Sequence, residues 1–227
     1  MVYLASPHTQ QQAEHAENMP VLLSFALWSK WMERYQPSFA RILIDSGAFS
    51  EMNTGTKIDL GAYREWSAGW VGHADAIAGL DNIRGDWRLS MANYEAIPWS
   101  FPTFHDTDPL ELLDDLIAMA KERKCWIGLG LMPPRHGKEA WIRAACDRIP
   151  EGIHVHGWAL REYTYIRRID SVDSTNWWRR AMAIRQSLPW LTYGECLEII
   201  VKRYMREARI VREPANDLFT PSSEVIS

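Results

Sequence analysis

Short apolar runs recur along the chain, with longer amphipathic stretches between them. Most of these runs are continuously apolar rather than alternating, which is typical of strands buried on both faces of a parallel sheet. The pattern predicts eight strands, over residues 2–6, 21–26, 42–45, 76–81, 99–105, 125–131, 153–158 and 169–173.

The stretches between the runs carry helix signals. Asp59 precedes apolar residues that share one helical face, as an N-cap does. Asp108 and Pro109 are predicted to cap and open a helix that continues through LLDDLIAMAKERK. Thr192 and Glu195 have the spacing of a capping box and predict a basic helix that ends near residue 211. Further helices are predicted over 138–149 and 174–188.

Eight strands alternating with helices predict a compact α/β fold, a (β/α)8 TIM barrel with a C-terminal basic helix. We expect one domain over residues 1–212 and a flexible tail over 213–227. A doubly wound open sheet is the alternative, but it usually carries a glycine-rich phosphate loop after the first strand. The segment SPHTQQQ, which follows the first predicted strand here, is no such loop.

Composition adds limits on the class of protein. With 47% hydrophobic and 24% charged residues the chain is typical of a globular domain. No apolar run approaches the ~20 residues of a membrane helix, and no signal peptide is evident, so we expect a cytoplasmic protein without membrane contact. Three widely spaced cysteines without a CxxC motif predict neither a disulfide framework nor a zinc site, and we predict no metal and no cofactor.

The charge distribution and the tryptophan content are each compatible with nucleic-acid binding and with an ordinary folded protein. The net charge is −4, yet residues 161–212 carry eleven Lys or Arg against six Asp or Glu. A basic segment on an acidic protein is either a nucleic-acid footprint or a solvated helix face. The 12 tryptophans are core anchors in the main, although some could stack on bases.

Three predicted strands end in aspartate, at Asp45, Asp81 and Asp173. In a (β/α)8 enzyme the catalytic groups lie at the carboxyl ends of the strands, although a single Asp there could equally cap a helix or start a turn. Three around one barrel end predict a carboxylate site. Paired carboxylates suit glycosidic chemistry, in which one attacks the anomeric carbon and the other moves the proton. His154 and His156 have metal-ligand spacing, but a hydrogen-bonding role is favoured.

Residues 44–50, Ile-Asp-Ser-Gly-Ala-Phe-Ser, resemble the DSGGFQ signature of the tRNA-guanine transglycosylases. They resemble still more the DSGAFS form of the related enzymes that place 7-deazaguanines in DNA. Later elements follow in family order: AIAGLD at Asp81, IGLGLM around Gly130, IHVHGWAL around Gly157 and RIDSVDST around Asp173. The resemblance covers roughly residues 1–190.

The resemblance implies a role for each matching residue. Asp173 would be the nucleophile that forms a covalent link to C1′ of the sugar, and Asp45 would be the general acid and base. Asp81 would hydrogen-bond the guanine-like edge of the base, Phe49 would stack near it, and the backbone of residues 128–130 would approach it closely. The base-binding residues expected in all are Ser46, Phe49, Asp81, His105, Gly130 and His156.

The chain departs from the family in ways that bear on the substrate. The CxCxxC…His zinc module is absent, which weakens tRNA as the substrate, and Phe104 with His105 takes the place of a glutamine-bearing strand. The basic segment then predicts contacts to DNA. The nucleic-acid-binding residues expected are Arg161, Arg167, Arg168, Trp177, Trp178, Arg179 and Arg180. At least one of the two tryptophans should be buried, because adjacent helical residues point about 100° apart.

The leading prediction is an enzyme that breaks the bond between a nucleobase and its sugar in DNA. If a free 7-deazaguanine base attacks the covalent intermediate, the enzyme is a base-exchange transglycosylase. If water attacks, it is a DNA glycosylase that leaves an abasic site. Either activity would serve phage DNA modification or defence against modified phage DNA. A non-catalytic DNA-binding barrel and a barrel enzyme acting on a small sugar or nucleoside are the alternatives.

Overall fold

Eight parallel strands form one sheet in the computed structural model, which describes residues 1–83, 85–132, 137–160, 163 and 166–210. The sheet order is β4-β3-β2-β1-β8-β7-β6-β5. A parallel bridge between Ala78 and Phe101 joins its two edges and closes it into a barrel. The strands are β1 (Val2–Ala5), β2 (Pro20–Ser24), β3 (Arg41–Asp45), β4 (Ala76–Ile77), β5 (Thr103–His105), β6 (Ile127–Gly130), β7 (Val155–Trp158) and β8 (Ser171–Ser174).

Helices cover the outside of the barrel. They are α1 (Gln10–His15), α2 (Ala48–Thr54), α3 (Leu60–Ala68), α4 (Trp87–Ala96), α5 (Leu112–Arg123), α6 (Glu139–Arg148), α7 (Asn176–Ser187) and α8 (Tyr193–Ile210). Between β2 and β3 the chain forms three short 3-10 turns instead, Phe25–Leu27, Lys30–Arg34 and Gln36–Ser38. The predicted (β/α)8 class is confirmed, and the sequential, closed strand order excludes the open doubly wound sheet. The predicted tail, 213–227, lies outside the described residues.

The two-residue period of each strand decides which side chains enter the barrel. Tyr3, Leu22, Leu43 and Phe101 are buried together inside it, whereas the alternate residues pack under the helices. Towards the carboxyl ends of the strands the inward positions become polar or glycine, except for one tryptophan on β7. They are occupied by Ser24, Asp45, His105, Gly130, Trp158 and Asp173.

Two predicted helix starts are confirmed and one is wrong. Asp59 Oδ1 accepts from the Ala62 N–H, and Thr192 and Glu195 exchange hydrogen bonds as a capping box. Asp108 does not cap α5, which begins at Leu112. The Asp108 carboxylate instead accepts from the His105 N–H at 2.8 Å, so it stabilises the end of β5 rather than a helix.

Candidate active site

A cavity of about 200 Å³ opens at the carboxyl end of the barrel, here called the mouth, and Asp45, Asp81 and Asp173 all line it. An apolar cavity of about 150 Å³ holds a benzene molecule, so this one has room for a single heterocycle. The other lining side chains include Ser24, Phe49, His105, Trp158 and Thr175. The sequence motifs that end in Asp therefore converge on one space.

Asp45 ends β3 and is followed by a tight turn into α2. Gly47 has φ +87°, and a Cβ there would lie 2.4 Å from the Ala26 Cβ, so the turn requires glycine at this position. Burial raises the pKa of Asp45 to about 6; the Ser24 hydroxyl and the Gly47 N–H oppose this shift, and the Asp81 and Asp173 carboxylates add to it. Asp45 can therefore hold or release a proton near neutral pH.

Asp173 points inward from β8 and is held through one oxygen. Its Oδ1 accepts from the Ala159 N–H at 2.6 Å, and His156 Nε2 lies 3.8 Å from the same atom. Ala159 adopts φ +53°, a left-handed conformation that is uncommon for alanine and aims its N–H at the carboxylate. Within the described residues Asp173 Oδ2 has no hydrogen-bond donor.

His105 lies between two carboxylates. Its Nε2 is 2.9 Å from Asp81 Oδ2, and its Nδ1 is 3.5 Å from Asp108 Oδ2. Burial lowers the pKa of His105, but the hydrogen bonds with Asp108 and Asp81 outweigh that effect and raise it to about 10. The ring is therefore an imidazolium at neutral pH, and it keeps a counter-charge beside Asp81. A Cβ on Gly130 would lie 2.6 Å from His105 Cδ2, so this glycine makes room for the ring.

Trp158 was not identified from the sequence, yet it lines the cavity. Its Nε1 donates to Thr103 Oγ1 at 3.0 Å, and its ring stacks on Phe101. A Cβ on Gly128 would lie 2.4 Å from Trp158 Nε1. Gly128 therefore admits the indole rather than approaching a base, which corrects its expected role. The inward alternation His156, Trp158 along β7 was the signal that could have found this residue.

Four of the six expected base-binding residues line the cavity: Phe49, Asp81, His105 and Gly130. The side chains of Ser46 and His156 do not line it. The Ser46 side chain is buried and its Oγ accepts from the Ala48 N–H at 3.3 Å, so it closes the turn that leads into α2. His156 is fully buried and lies beneath Asp173, inside the barrel.

The two adjacent tryptophans divide between core and mouth. Trp177 is fully buried and its Nε1 donates to the Ala5 carbonyl at 3.0 Å, so it cannot stack on a base. Trp178 is partly exposed, with its ring 5.5 Å from that of the cavity-lining His8. The exposed Arg179 places its Cζ 5.2 Å from the Trp178 ring. The expectation that one of the pair is buried is confirmed.

The expected arginine cluster does not gather at the mouth. Arg167 and Arg168 precede β8, and Arg168 Nη2 donates to the Pro150 carbonyl at 2.9 Å, just beyond the C-terminus of α6. They therefore lie at the opposite, amino end of the barrel and not beside Asp173, where the sequence placed them. Arg180 faces the Tyr204 ring of α8. Arg161 lies outside the described residues.

Two further searches cover the described ranges alone. They contain no group of three or more His, Cys, Asp or Glu side chains placed to hold a metal ion. Nor does any helix in them combine the length and apolar character needed to cross a membrane.

Comparison with known proteins adds little to this geometry. No family model and no curated protein matches the chain. One solved structure that resembles it is the X-ray crystal structure of the YdjI aldolase from Escherichia coli K12. That likeness covers 93% of this chain and 89% of that one, at 9% identity and a TM-score of 0.37. So remote a likeness carries no functional conclusion, and the strand order itself defines the class, a (β/α)8 barrel with a carboxylate-lined mouth.

Proposed function

We propose that the protein cleaves the N-glycosidic bond between a nucleobase and its sugar in DNA, with Asp173 as the nucleophile and Asp45 as the acid. The observation that carries this proposal is the pair of carboxyl groups on one cavity with opposed surroundings. Burial beside two other carboxylates raises the pKa of Asp45 to about 6 in spite of its hydrogen bonds with Ser24 and Gly47, whereas Asp173 accepts from the Ala159 N–H and faces the His156 imidazole. Glycosidic cleavage requires such a division of roles.

The chemistry follows from the two groups. Asp173 Oδ2 attacks C1′ while the bond from C1′ to the base nitrogen breaks, and Asp45 gives its proton to the departing base. The base leaves neutral, the sugar is held as an ester of Asp173, and Asp45 becomes a carboxylate. Asp45 then takes a proton from water or from the N–H of an incoming base, which attacks C1′ and frees Asp173. Water gives excision, and a base gives exchange.

Asp81 and Phe49 support recognition of the base. The His105 imidazolium lies 2.9 Å from Asp81 Oδ2, and a carboxylate can only accept hydrogen bonds. The cavity therefore favours a base that presents N–H donors, such as the guanine-like edge that the family resemblance implies. Phe49 is 49% exposed on the rim, where a base that has left its stack can lie against it.

The surroundings of the mouth support DNA as the substrate. Arg179 is exposed beside Trp178, close to β8, where a phosphate of the flipped nucleotide would lie. The small cavity takes a base but not its neighbours, which suits a strand that remains outside. A barrel that only binds DNA has no use for three carboxylates in one cavity, since each repels phosphate.

Trapping of the intermediate tests the proposal. Wild-type protein is incubated with plain and base-modified duplex DNA and denatured during turnover. We expect a covalent protein–DNA adduct and released base, and we expect Asp173→Asn to form no adduct while still binding DNA. Asp114→Asn is the matched control, because that carboxylate is exposed and pairs with Arg148 on the barrel exterior. Strand breaks on heating indicate excision, and uptake of labelled 7-deazaguanine indicates exchange.

The same experiment can overturn the proposal. If wild-type protein releases no base from any of these DNAs, the glycosidic activity is refuted. If Asp173→Asn still turns over without an adduct, water displaces the base directly and Asp173 is not the nucleophile.

A further inference from the structure

A buried chain of polar side chains runs inside the barrel towards Asp173. His154 Nε2 lies 2.7 Å from Ser171 Oγ, and the same oxygen lies 2.9 Å from His156 Nδ1. His156 Nε2 then faces Asp173 Oδ1 at 3.8 Å. The chain arises from strand alternation, because His154 and His156 share one face of β7 and its lead-in, while Ser171 and Asp173 share the inward face of β8.

The hydrogen bonds of this series of side chains have one favourable donor-to-acceptor direction. Were the His156 proton on Nδ1, the Nε2 lone pair would point at the Asp173 carboxylate, which repels it. With the proton on Nε2, His156 donates towards Asp173 and Nδ1 accepts the Ser171 hydroxyl proton. Ser171 Oγ then accepts the proton of His154 Nε2. His156 Nε2 is a buried atom that has no hydrogen-bond partner among the described residues, and Asp173 Oδ1, at 3.8 Å, lies just beyond hydrogen-bond distance.

The surroundings of His156 keep its ring neutral. The rings of Tyr3 and Trp158 pack against it at 6.1 and 4.5 Å between centroids, and burial lowers its pKa. The charged groups that act on it are the Asp173 carboxylate and the N-terminal amine. Burial also lowers the pKa of His154, to about 4, with Asp170 acting in the opposite direction. A neutral donor stabilises Asp173 without cancelling its charge, unlike the imidazolium of His105 beside Asp81.

We propose that His156 is a positioning residue, oriented by Ser171 and His154, which holds Asp173 through Oδ1 so that Oδ2 faces C1′. The inference rests on the proposed role of Asp173 as nucleophile. The Ala159 N–H already binds Oδ1, and His156 Nε2, 3.8 Å from the same oxygen, would become a second donor once that distance shortens. Hydrogen bonds of catalytic groups are often long in an empty site and shorten when the substrate binds.

The ring tautomer tests the contact without any activity. Long-range 1H–15N NMR of the ligand-free protein at pH 7 should show His156 as the neutral Nε2–H tautomer, with its signals assigned by their loss in His156→Gln. Asp173→Asn should shift the Nε2 resonance, whereas the control Asp114→Asn should not. A neutral ring protonated on Nδ1, or a charged ring, overturns the inference.

Single-turnover kinetics test the consequence. His156→Leu removes the donor at similar volume and should slow adduct formation about ten- to hundredfold, the effect of losing one hydrogen bond to a charged group. The concentration of DNA that half-saturates the reaction should not change. His156→Gln retains an N–H near the position of Nε2 and should recover most of the rate. If His156→Leu does not fold, Ser171→Ala takes its place, with a smaller loss and a mixture of His156 tautomers expected.

The outcomes separate the two proposals. A wild-type protein that forms no adduct with any DNA refutes the glycosidic function, and the NMR measurement still decides the His156 contact. A wild-type protein that forms the adduct, together with a folded His156→Leu that forms it equally fast, refutes the positioning role alone.

Discussion

The β3 and β8 sides of the mouth carry the same functional group in different surroundings. On the β3 side, partial burial near the carboxylates of Asp81 and Asp173 raises the pKa of Asp45 to about 6. On the β8 side, Asp173 accepts a hydrogen bond from the Ala159 N–H through Oδ1 and faces the His156 imidazole at 3.8 Å. Strand position brings each group to the cavity, whereas the neighbouring donors and charges decide what it can do there.

The largest expected effect separates acid from nucleophile. Asp45→Asn should slow adduct formation about 10²–10⁴-fold, because the departing base is no longer protonated. The loss should shrink on DNA whose base leaves easily as an anion, whereas Asp173→Asn should form no adduct on any substrate. Single-turnover rates on a series of modified bases measure this. Equal losses for Asp45→Asn across the series would contradict its role as the acid.

The pH profile is the next test of the contrast. Since the pKa of Asp45 is raised to about 6, the protonated form that acts as acid declines above that pH. The rate of base release should therefore fall by close to tenfold for each pH unit above about 6.5. Burst measurements between pH 5 and 9 check this, with Asp45→Asn as the control that lacks this dependence. A wild-type rate that rises from pH 6 to 8 would reverse the assignment.

The raised pKa of Asp45 also affects the stability of the folded protein. The folded protein keeps this proton up to about pH 6, whereas the unfolded chain releases it near pH 3.8. The free energy of unfolding therefore falls as the pH rises from 3.8 to 6, and it stays reduced at higher pH. At pH 7.5 Asp45→Asn should raise the free energy of unfolding by up to about 3 kcal/mol. At pH 4 the gain should be small. Urea unfolding at both pH values measures it, and a variant less stable at pH 7.5 would contradict the prediction.

Sequence patterning alone was enough for the architecture and for much of the site. The apolar runs identified all eight strands, and the ends at Asp45, Asp81 and Asp173 converge on one cavity. The apolar runs did not identify His156 and Trp158 as inward residues. Their positions depend on which face of β7 turns into the barrel, and only the alternation along that strand indicates this. Asp108 resembled a helix cap, but the nearby His105 N–H competes for the same carboxylate.

The arginines show a different limit. Arg167 and Arg168 precede Asp173 by only a few residues, yet a strand separates the two ends of a barrel. Closeness in sequence therefore led to the prediction that the two arginines lie at the carboxyl end, whereas they lie at the amino end. Arg179 follows β8 on α7 and does lie near the mouth, because a helix that follows a strand starts at that strand's carboxyl end.

The smallest expected effect compares the two ends of the barrel. Arg179→Glu should weaken DNA binding by several-fold and reduce the slope of log affinity against log salt by about one. Arg167→Glu makes the same charge change at the amino end and should leave both unchanged. Fluorescence anisotropy with labelled duplex DNA at several salt concentrations measures both variants. Equal losses for the two would indicate long-range attraction rather than a contact at the mouth.

The segment between β2 and β3 bears on where the barrel begins to unfold. Its three 3-10 turns contain few of the backbone hydrogen bonds that a full helix would provide. Aromatic packing replaces them, since Phe25 and Trp28 contact Trp66 on α3. Leu27, in the first of these turns, lines the cavity. Amide hydrogens here should exchange sooner than those of α5, so partial unfolding would begin at the wall of the mouth itself.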